Sequence, residues 1–505
     1  MIPRSIPRSI VSGLRFAMLT GLLLLSACAV GPNYKRPALS PSASLGVDLT
    51  SSDSTVPADS APQLVLGMDV PAQWWRVFHS ADLDTLVERS LRNNPTIQAA
   101  EAAIRAASEQ VKAQRGAYFP SVSASVQPSS QHVAGTLSSP LQSNSKVFNL
   151  TTSQVSVSYV PDLFGANARA VESLVAQEEE QRFELAAARL TLASNVVLAA
   201  IQDAQLRSLM DETRAIILAQ QKTLESYQKQ FQLGQTSNAD LAAQQALLAQ
   251  TQATLPPLEK QFEINRDLLS SLMGLTPGEP LDVNFEFKSL TLPERLPVSL
   301  PLQLIEHRPD VRMAEAELKA ASAEVGVAEA ARLPNIEIDG AAGGAALGLL
   351  PLFNPATYFW NASATLTQPL FQGGTLLHRQ RAAEAMYDQA ALQYQSTVIG
   401  AFQNTADVLH ALLIDADALQ TAENAETASC RSLDIAQQQL KLGDISQLAV
   451  LSAEQAEHQA LLTLLQAQAG RYSDVAALFQ ALGGGWWNSD TSAAPVGDGK
   501  AAPRN

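Results

Sequence analysis

The stretch from Ala166 to Leu233 contains neither Gly nor Pro, and Thr375 to Leu442 repeats the feature with only Gly400 inside it. With no breaker, each segment reads as a single helix on the order of 100 Å long at the α-helical rise of about 1.5 Å per residue. A globular domain has no room for such an element. Each long helix turns at Gly234 or Gly443 and returns as a shorter one ending at Gly274 or Gly483. Leu185, Leu192, Ala199 and Leu206 share the seven-residue spacing of a left-handed supercoil seam, which predicts close-packed antiparallel coiled coil. Pro256-Pro257 has no counterpart at Leu465-Gln466 and is expected to interrupt the first returning helix.

The chain is written twice. Asn94 to Pro120, NPTIQAAEAAIRAASEQVKAQRGAYFP, lies without a gap on Arg308 to Pro334, RPDVRMAEAELKAASAEVGVAEAARLP. A second block pairs LGQTSNADLAAQQALLAQ from Leu233 with LGDISQLAVLSAEQAEHQ from Leu442. Each half opens with a helix from near Leu83 or Leu300, with Asn94-Pro95 and Arg308-Pro309 as early kinks or restarts. The opening and returning helices together match the long one in length, so they can stack end to end beside it.

Between the opening and long helices come paired alternating runs, PSVSASVQ and SQVSVSYV in the first half and PNIEIDG and WNASATLT in the second. Loops are expected over roughly 130–148 and 340–356. Alternation puts Val122, Ala124, Val126, Val155, Val157, Tyr159, Ala362, Ala364 and Leu366 on apolar faces, with Ser, Thr or Asn opposite. A tilted crossing of the outer membrane needs strands of about ten residues with an apolar exterior and a wet interior. A soluble sandwich shows the same alternation, and a helix-only bundle leaves these runs unexplained. Four strands cannot close a barrel, and open edges are not tolerated in lipid, so other subunits must complete them.

The leader carries Arg4, Arg8 and Arg15 before an apolar run from Phe16 to Leu25 that is too short to span a bilayer and fits an export signal. Leu25-Ser26-Ala27-Cys28 resembles a bacterial lipobox, which makes Cys28 the lipid attachment site and residues 1–27 a removed signal peptide. By the same resemblance, Ala29 after the cysteine favours the outer membrane. The net charge of −15, with no basic cluster beyond the leader and its flank, argues against a nucleic-acid partner. With Cys430 the only other cysteine, no structural disulfide is expected. The histidines His79, His132, His307, His378, His410 and His458 lack metal-ligand spacing, and no phosphate-binding Gly loop occurs, so neither an enzyme nor a cofactor is expected. Glu178, Glu179 and Glu180 read as a solvated helix face.

Several motifs stand in a family's order: VGPNYKRP after Cys28, WWRVFHSADLDTLVERSLRNNPTIQAAEA from Trp74, SYVPDLFG and TQPLFQGG before the long helices, and LGxxS at both turns. They resemble the outer-membrane factor family, the TolC-like outer membrane efflux proteins of Gram-negative bacteria, and within it the NodT-type lipoprotein branch associated with resistance-nodulation-division pumps. The resemblance implies a mainly α fold with a transmembrane β-barrel: a homotrimer in which four strands per chain make one 12-stranded barrel and the long helices make a periplasmic tunnel. A mixed α/β region would girdle the tunnel, built from segments near residues 70–82, 275–300 and the C-terminal end. It implies a passive exit duct in the outer membrane, joined by a periplasmic membrane-fusion adaptor to an inner-membrane pump. The expected parts are a lipidated extended segment 28–70, repeats 71–290 and 291–485, and a flexible tail 486–505. A structural coiled-coil lipoprotein without channel activity is the competing reading.

The turns carry the remaining candidate residues. Gly234 and Gly443 permit reversal, and Ser237 and Ser446 are expected N-caps of the returning helices. In the family these turns form the tip that docks the adaptor and closes the entrance. The acidic residues that some relatives carry beyond the second turn are replaced here by Ala449 and Ser452, which leaves Asp240, Asp444 and Gln447 as candidates to shape the constriction.

Overall fold

The computed structural model describes residues 29–37, 63–137, 143–279, 281, 283, 285–293, 295–298 and 306–488; Cys28, the leader before it and the residues from 489 onward lie outside the described residues. Among the described residues the chain runs β1 (Gln63–Leu66), α1 (Ala81–Asn93), α2 (Pro95–Arg115), β2 (Ser121–His132), β3 (Val147–Tyr159), α3 (Ala166–Gln232) and α4 (Asn238–Leu272). It continues with β4 (Arg295–Val298), α5 (Pro309–Ala330), β5 (Asn335–Ala346), β6 (Tyr358–Thr367), α6 (Thr375–Leu442) and α7 (Gln447–Ala481). The order helix, two strands, long helix, shorter helix therefore occurs twice, with 67 and 68 residues in the long helices and 35 in each returning one.

Two compact units emerge, and four helices contribute residues to both. The first unit holds the described residues of 29–37, Ile104–Gln181 and Ala314–Tyr394. Its centre is an antiparallel sheet in the order β2-β3-β5-β6. The strands are longer than the alternating runs, because β5 continues through Gly340–Ala346, which the sequence reading gave to a loop. Pairing with β3 on one side and β6 on the other holds most of this Gly- and Ala-rich stretch extended despite its low strand propensity. The N-terminal segment is fastened to the same unit by polar contacts. Arg36 donates to both oxygens of the buried Glu315 at 2.9 and 2.7 Å, Tyr34 donates to the same carboxylate, and Arg169 donates to the Val30 and Gly31 carbonyls. Glu178 to Glu180, expected as a solvated face, are half-buried, and Glu179 pairs with Lys319 at 3.2 Å.

The second unit holds the described residues of 63–103, Arg182–Met313 and 395–488. Its core joins Trp74, Phe78, Leu83 and Phe285 to apolar residues of α3, α6 and α7, and Trp74 stacks on Phe479 with ring centroids 5.4 Å apart. Leu192, Ala199 and Leu206 of the expected seam are buried, and Leu185 is partly buried. The parallel pair β1-β4, the short helix Trp74–Phe78 and the turn Trp486–Asn488 belong to this region. That turn is a correction to the expected tail: Trp487 stacks on His307 and Asn488 donates to Asp69, so ordered structure continues past 485.

The opening and returning helices meet end to end. Asn94, held extended by Pro95, breaks α1 from α2 and donates through Nδ2 to the Leu272 carbonyl at the end of α4. Arg308, before Pro309, donates to the Ala481 carbonyl at the end of α7. Each junction thus satisfies a carbonyl that a helix C-terminus leaves without an intrahelical partner. Gly274 and Gly483 sit at these joints with φ of +74° and +92°, and a Cβ on either would lie 2.9 Å from the Asn93 or His307 carbonyl. Contrary to expectation, Pro256 and Pro257 do not interrupt α4. The two prolines and the freed carbonyl-bearing residues Gln252 and Ala253 are all exposed, so water replaces the lost helical bonds.

A buried polar cluster lies between α6 and α7. Arg471, 1% exposed, donates to the Leu412 carbonyl at 3.0 Å. Beside it, burial and a hydrogen bond with the Asp415 carboxyl push Asp474 up to about 7. A carboxyl raised in the folded state binds its proton more tightly there than in the unfolded chain, so stability falls as pH rises between about 4 and 7. Asp474→Asn is expected to flatten that decline and to raise the melting temperature above pH 7, as thermal unfolding across this range will read.

Candidate functional site: the strand face and the helical tips

In the first unit, register turns four alternating sequences into one two-sided surface. Val122, Val157, Gly340 and Ala362 form one cross-strand row, and Ala124, Val155, Ala342 and Trp360 form the next. Tyr159, Ile338 and Ala364 extend the same face, as do Ile336 and Leu366. The opposite face carries rows such as Ser121, Ser158, Asp339 and Ser363. Much of this face is exposed among the described residues: Val122 and Leu366 are each 67% exposed and Trp360 is 79% exposed. The edges are also uncovered, since β2 and β6 each pair on one side only.

In the second unit, both helical turns have the same C-terminal geometry. Gly234 at φ +73° donates to the Phe231 carbonyl and Gln235 to Gln230; Gly443 at φ +79° donates to Leu440 and Asp444 to Gln439. This double bond closes the last carbonyls of each long helix and requires the left-handed conformation that glycine adopts without strain. The N-terminal caps differ. Ser237 Oγ accepts from the Asp240 amide at 3.1 Å, and the Asp240 carboxylate accepts from the Ser237 amide at 3.3 Å and hydroxyl at 2.7 Å, forming a reciprocal capping box. Ser446 occupies the cap position of α7, but its side chain caps nothing. The residue three positions on is Ala449, so no carboxylate completes a box. Gln447 opens α7, and Asp444 is exposed in the turn.

These tip residues have interior neighbours that sequence reading missed. Tyr227 of α3 is 2% exposed, and burial, followed by the charges of Glu454 and Asp240, pushes its hydroxyl up to about 12. Burial also raises the Glu454 and Glu457 carboxyls of α7, with Glu426 and Glu212 adding like charge at Glu457. No linear motif could have flagged this acidic cluster, because its members come from α3, α6 and α7. Among the described residues no group of side chains suits a metal ion. Cys430 is a free exposed thiol, and its proton is held by Glu426.

The unequal caps yield a prediction. Ser237→Ala is expected to cost about 1 kcal/mol of local helix stability, whereas Ser446→Ala leaves its helix nearly unchanged. The Ser237 hydroxyl and amide hold the Asp240 carboxyl below the usual carboxylate range. A depressed carboxyl stabilises above its unfolded pKa, so this contribution disappears as pH falls through the lower folded value. Hydrogen-exchange protection at the start of α4, taken relative to the intrinsic exchange rate at each pH, is expected to fall on acidification in the wild type, and the start of α7 is expected to respond less.

Comparison with known proteins extends over nearly the whole chain. The sequence model of the outer membrane efflux protein family matches residues 86–275 and again 300–484. The pyoverdine export outer membrane protein OpmQ of Pseudomonas putida is 28% identical over 82% of this chain and 88% of its own length. The probable efflux pump outer membrane protein TtgC of the same species is 28% identical, covering 92% of this chain and 94% of the relative. Among solved structures, the outer-membrane channel OprN superposes with a TM-score of 0.80 at 25% identity, over 91% of this chain and all of that one. The chain belongs to the outer membrane efflux protein family.

Proposed function

We propose that this protein is the passive exit duct of a tripartite efflux system, acting as a homotrimer in the outer membrane of a Gram-negative bacterium. The observation that carries this reading is the four-stranded sheet with one face apolar from the Ile336–Leu366 row to the Ala124–Val155–Ala342–Trp360 row, and with β2 and β6 paired on one side only among the described residues. The sheet is antiparallel throughout, so β2 and β6 run in opposite directions, and β6 of one copy can pair antiparallel with β2 of the next. Such a head-to-tail contact closes into a ring, and three copies give a 12-stranded barrel. The long helices of the same three chains then make the periplasmic tunnel.

The turns at Gly234 and Gly443, with Ser237, Asp240, Asp444, Ser446 and Gln447, form the entrance that docks a periplasmic membrane-fusion adaptor. Energy comes from an inner-membrane pump of the resistance-nodulation-division type. Cys28 carries a lipid anchor, and the Arg36, Tyr34 and Arg169 contacts hold the segment that follows it. OpmQ exports pyoverdine and TtgC is named as an efflux pump component, which supports a small-molecule cargo for this chain too.

Arginine placed on the two strand faces tests the barrel. Val157→Arg puts a charge on the apolar face and is expected to cost about 2–4 kcal/mol near the membrane midplane, depleting trimer from the outer-membrane fraction. Ser156→Arg is expected to assemble and to shift the ion selectivity of single channels in planar bilayers. Equal tolerance of both substitutions, or a water-soluble monomer without conductance, would count against the duct.

A further inference from the structure

The two hairpin connections at the helix-distal end of the sheet differ in chemistry. Residues 133–146, joining β2 to β3, contain four Ser, one Asn, one Gln and Lys146 beside Val133, Leu137 and Leu141. The connection from β5 to β6, LGLLPLFNPAT, belongs to a stretch with no Asp, Glu, Lys or Arg between Asp339 and Arg379. Its short helix Leu350–Phe353 presents Leu350 at 90% and Phe353 at 83% exposure, with Leu349 also exposed. Among the described residues nothing buries these side chains, and fully burying a Leu or Phe contributes about 1.5–3 kcal/mol.

The direction in which this turn folds is fixed by Gly344. Gly344 lies in the row of Val126, Ser153 and Tyr358, and so on the apolar face. A Cβ built there would point at the Leu352 carbonyl, 3.1 Å away, and at the Thr357 hydroxyl, 3.4 Å away. Thr357 Oγ1 in turn donates to the Leu352 carbonyl at 3.1 Å, and the Leu352 side chain is buried. The turn therefore lies back over the apolar face, and its exposed Leu and Phe continue the surface of Trp360 and Tyr358. Between turn and strands is a cavity of about 660 Å³ bordered by Val126, Val155, Leu352, Phe353 and Trp360 among others.

We propose that Leu349–Phe353 is a lipid-embedded turn: it sits among the acyl chains of the outer leaflet and seats an acyl chain in the groove it makes with the sheet, while Thr136, in the β2–β3 connection, stays in water. The proposal rests on the barrel reading, because it takes the apolar face to be lipid-facing. The absence of charge, the exposure of the two largest apolar side chains and the continuity with that face all favour hydrocarbon over a protein partner or the aqueous lumen.

The test uses the full-length lipidated trimer in liposomes, with Cys430→Ala removing the free thiol. An environment-sensitive fluorophore is attached at Leu350→Cys, Phe353→Cys, Thr136→Cys or Val157→Cys. Labels at 350 and 353 are expected to be blue-shifted, quenched by doxyl-labelled lipid and protected from iodide; the label at 136 is expected to show the reverse. If the label at 157 is quenched by lipid while those at 350 and 353 are quenched by iodide, the embedded turn is wrong and the barrel reading stands. Protection of 350 and 353 from both quenchers also overturns the proposal, because the turn then packs on protein. Failure of lipid to reach the label at 157 removes both readings together.

Discussion

The rest of the structure depends on where the backbone hydrogen bonds of the β2-β3-β5-β6 sheet can go. Its inner strands are paired on both sides, but β2 and β6 each present a row of amides and carbonyls with no strand partner among the described residues. In water such edges invite aggregation, and in hydrocarbon each unpaired group costs several kcal/mol. The alternation of Val and Ser makes one face suited to lipid, so the edges cannot be left open there. An outer-membrane efflux protein of this kind is therefore incomplete as a single chain. Self-association follows from backbone chemistry rather than from a specialised interface motif.

The helices face the complementary difficulty of satisfying their ends. A helix of 67 residues satisfies its own interior, and the shortage falls at the termini. Here glycine closes the tip of each long helix, and a side chain closes the far end of each returning helix, Asn94 for α4 and Arg308 for α7. Two different residues perform one task in the two halves. That pattern fits a duplicated plan whose constraint is geometric: a donor must stand before the proline that restarts the opening helix. The same logic explains the tolerance of Pro256-Pro257, whose orphaned carbonyls face water instead of the core.

Much of this was legible because it depends on local punctuation. Gly234, Gly274, Gly443 and Gly483 marked helix ends, Pro95 and Pro309 marked restarts, and alternation located all four strands of the antiparallel sheet. What escaped depends on partners distant in sequence. The Gly-rich end of β5 is a strand only because β3 and β6 hold it, and β1 pairs with β4 across more than half the length of one repeat. Trp486 and Trp487 looked like the start of a tail, yet His307 fixes both. At the tips, Ser237 and Ser446 looked equivalent. The difference lay three residues away, where Asp240 completes a capping box and Ala449 cannot.

That inequality bears on the local stability of the two turns. Oδ2 of Asp240 already accepts from Ser237 and Thr236, so its charge is partly committed to holding α4 in place. The second turn has no such brace. Local opening is therefore expected first at the start of α7, because motion concentrates where local stability is lowest. The polar face of the sheet makes no comparable demand. Beside the carboxylates Glu337 and Asp339 it is mostly Ser, Thr, Asn and Gln, groups that stay hydrated in water. A surface of this composition binds a neutral solute weakly, and weak binding is what lets a passing solute leave.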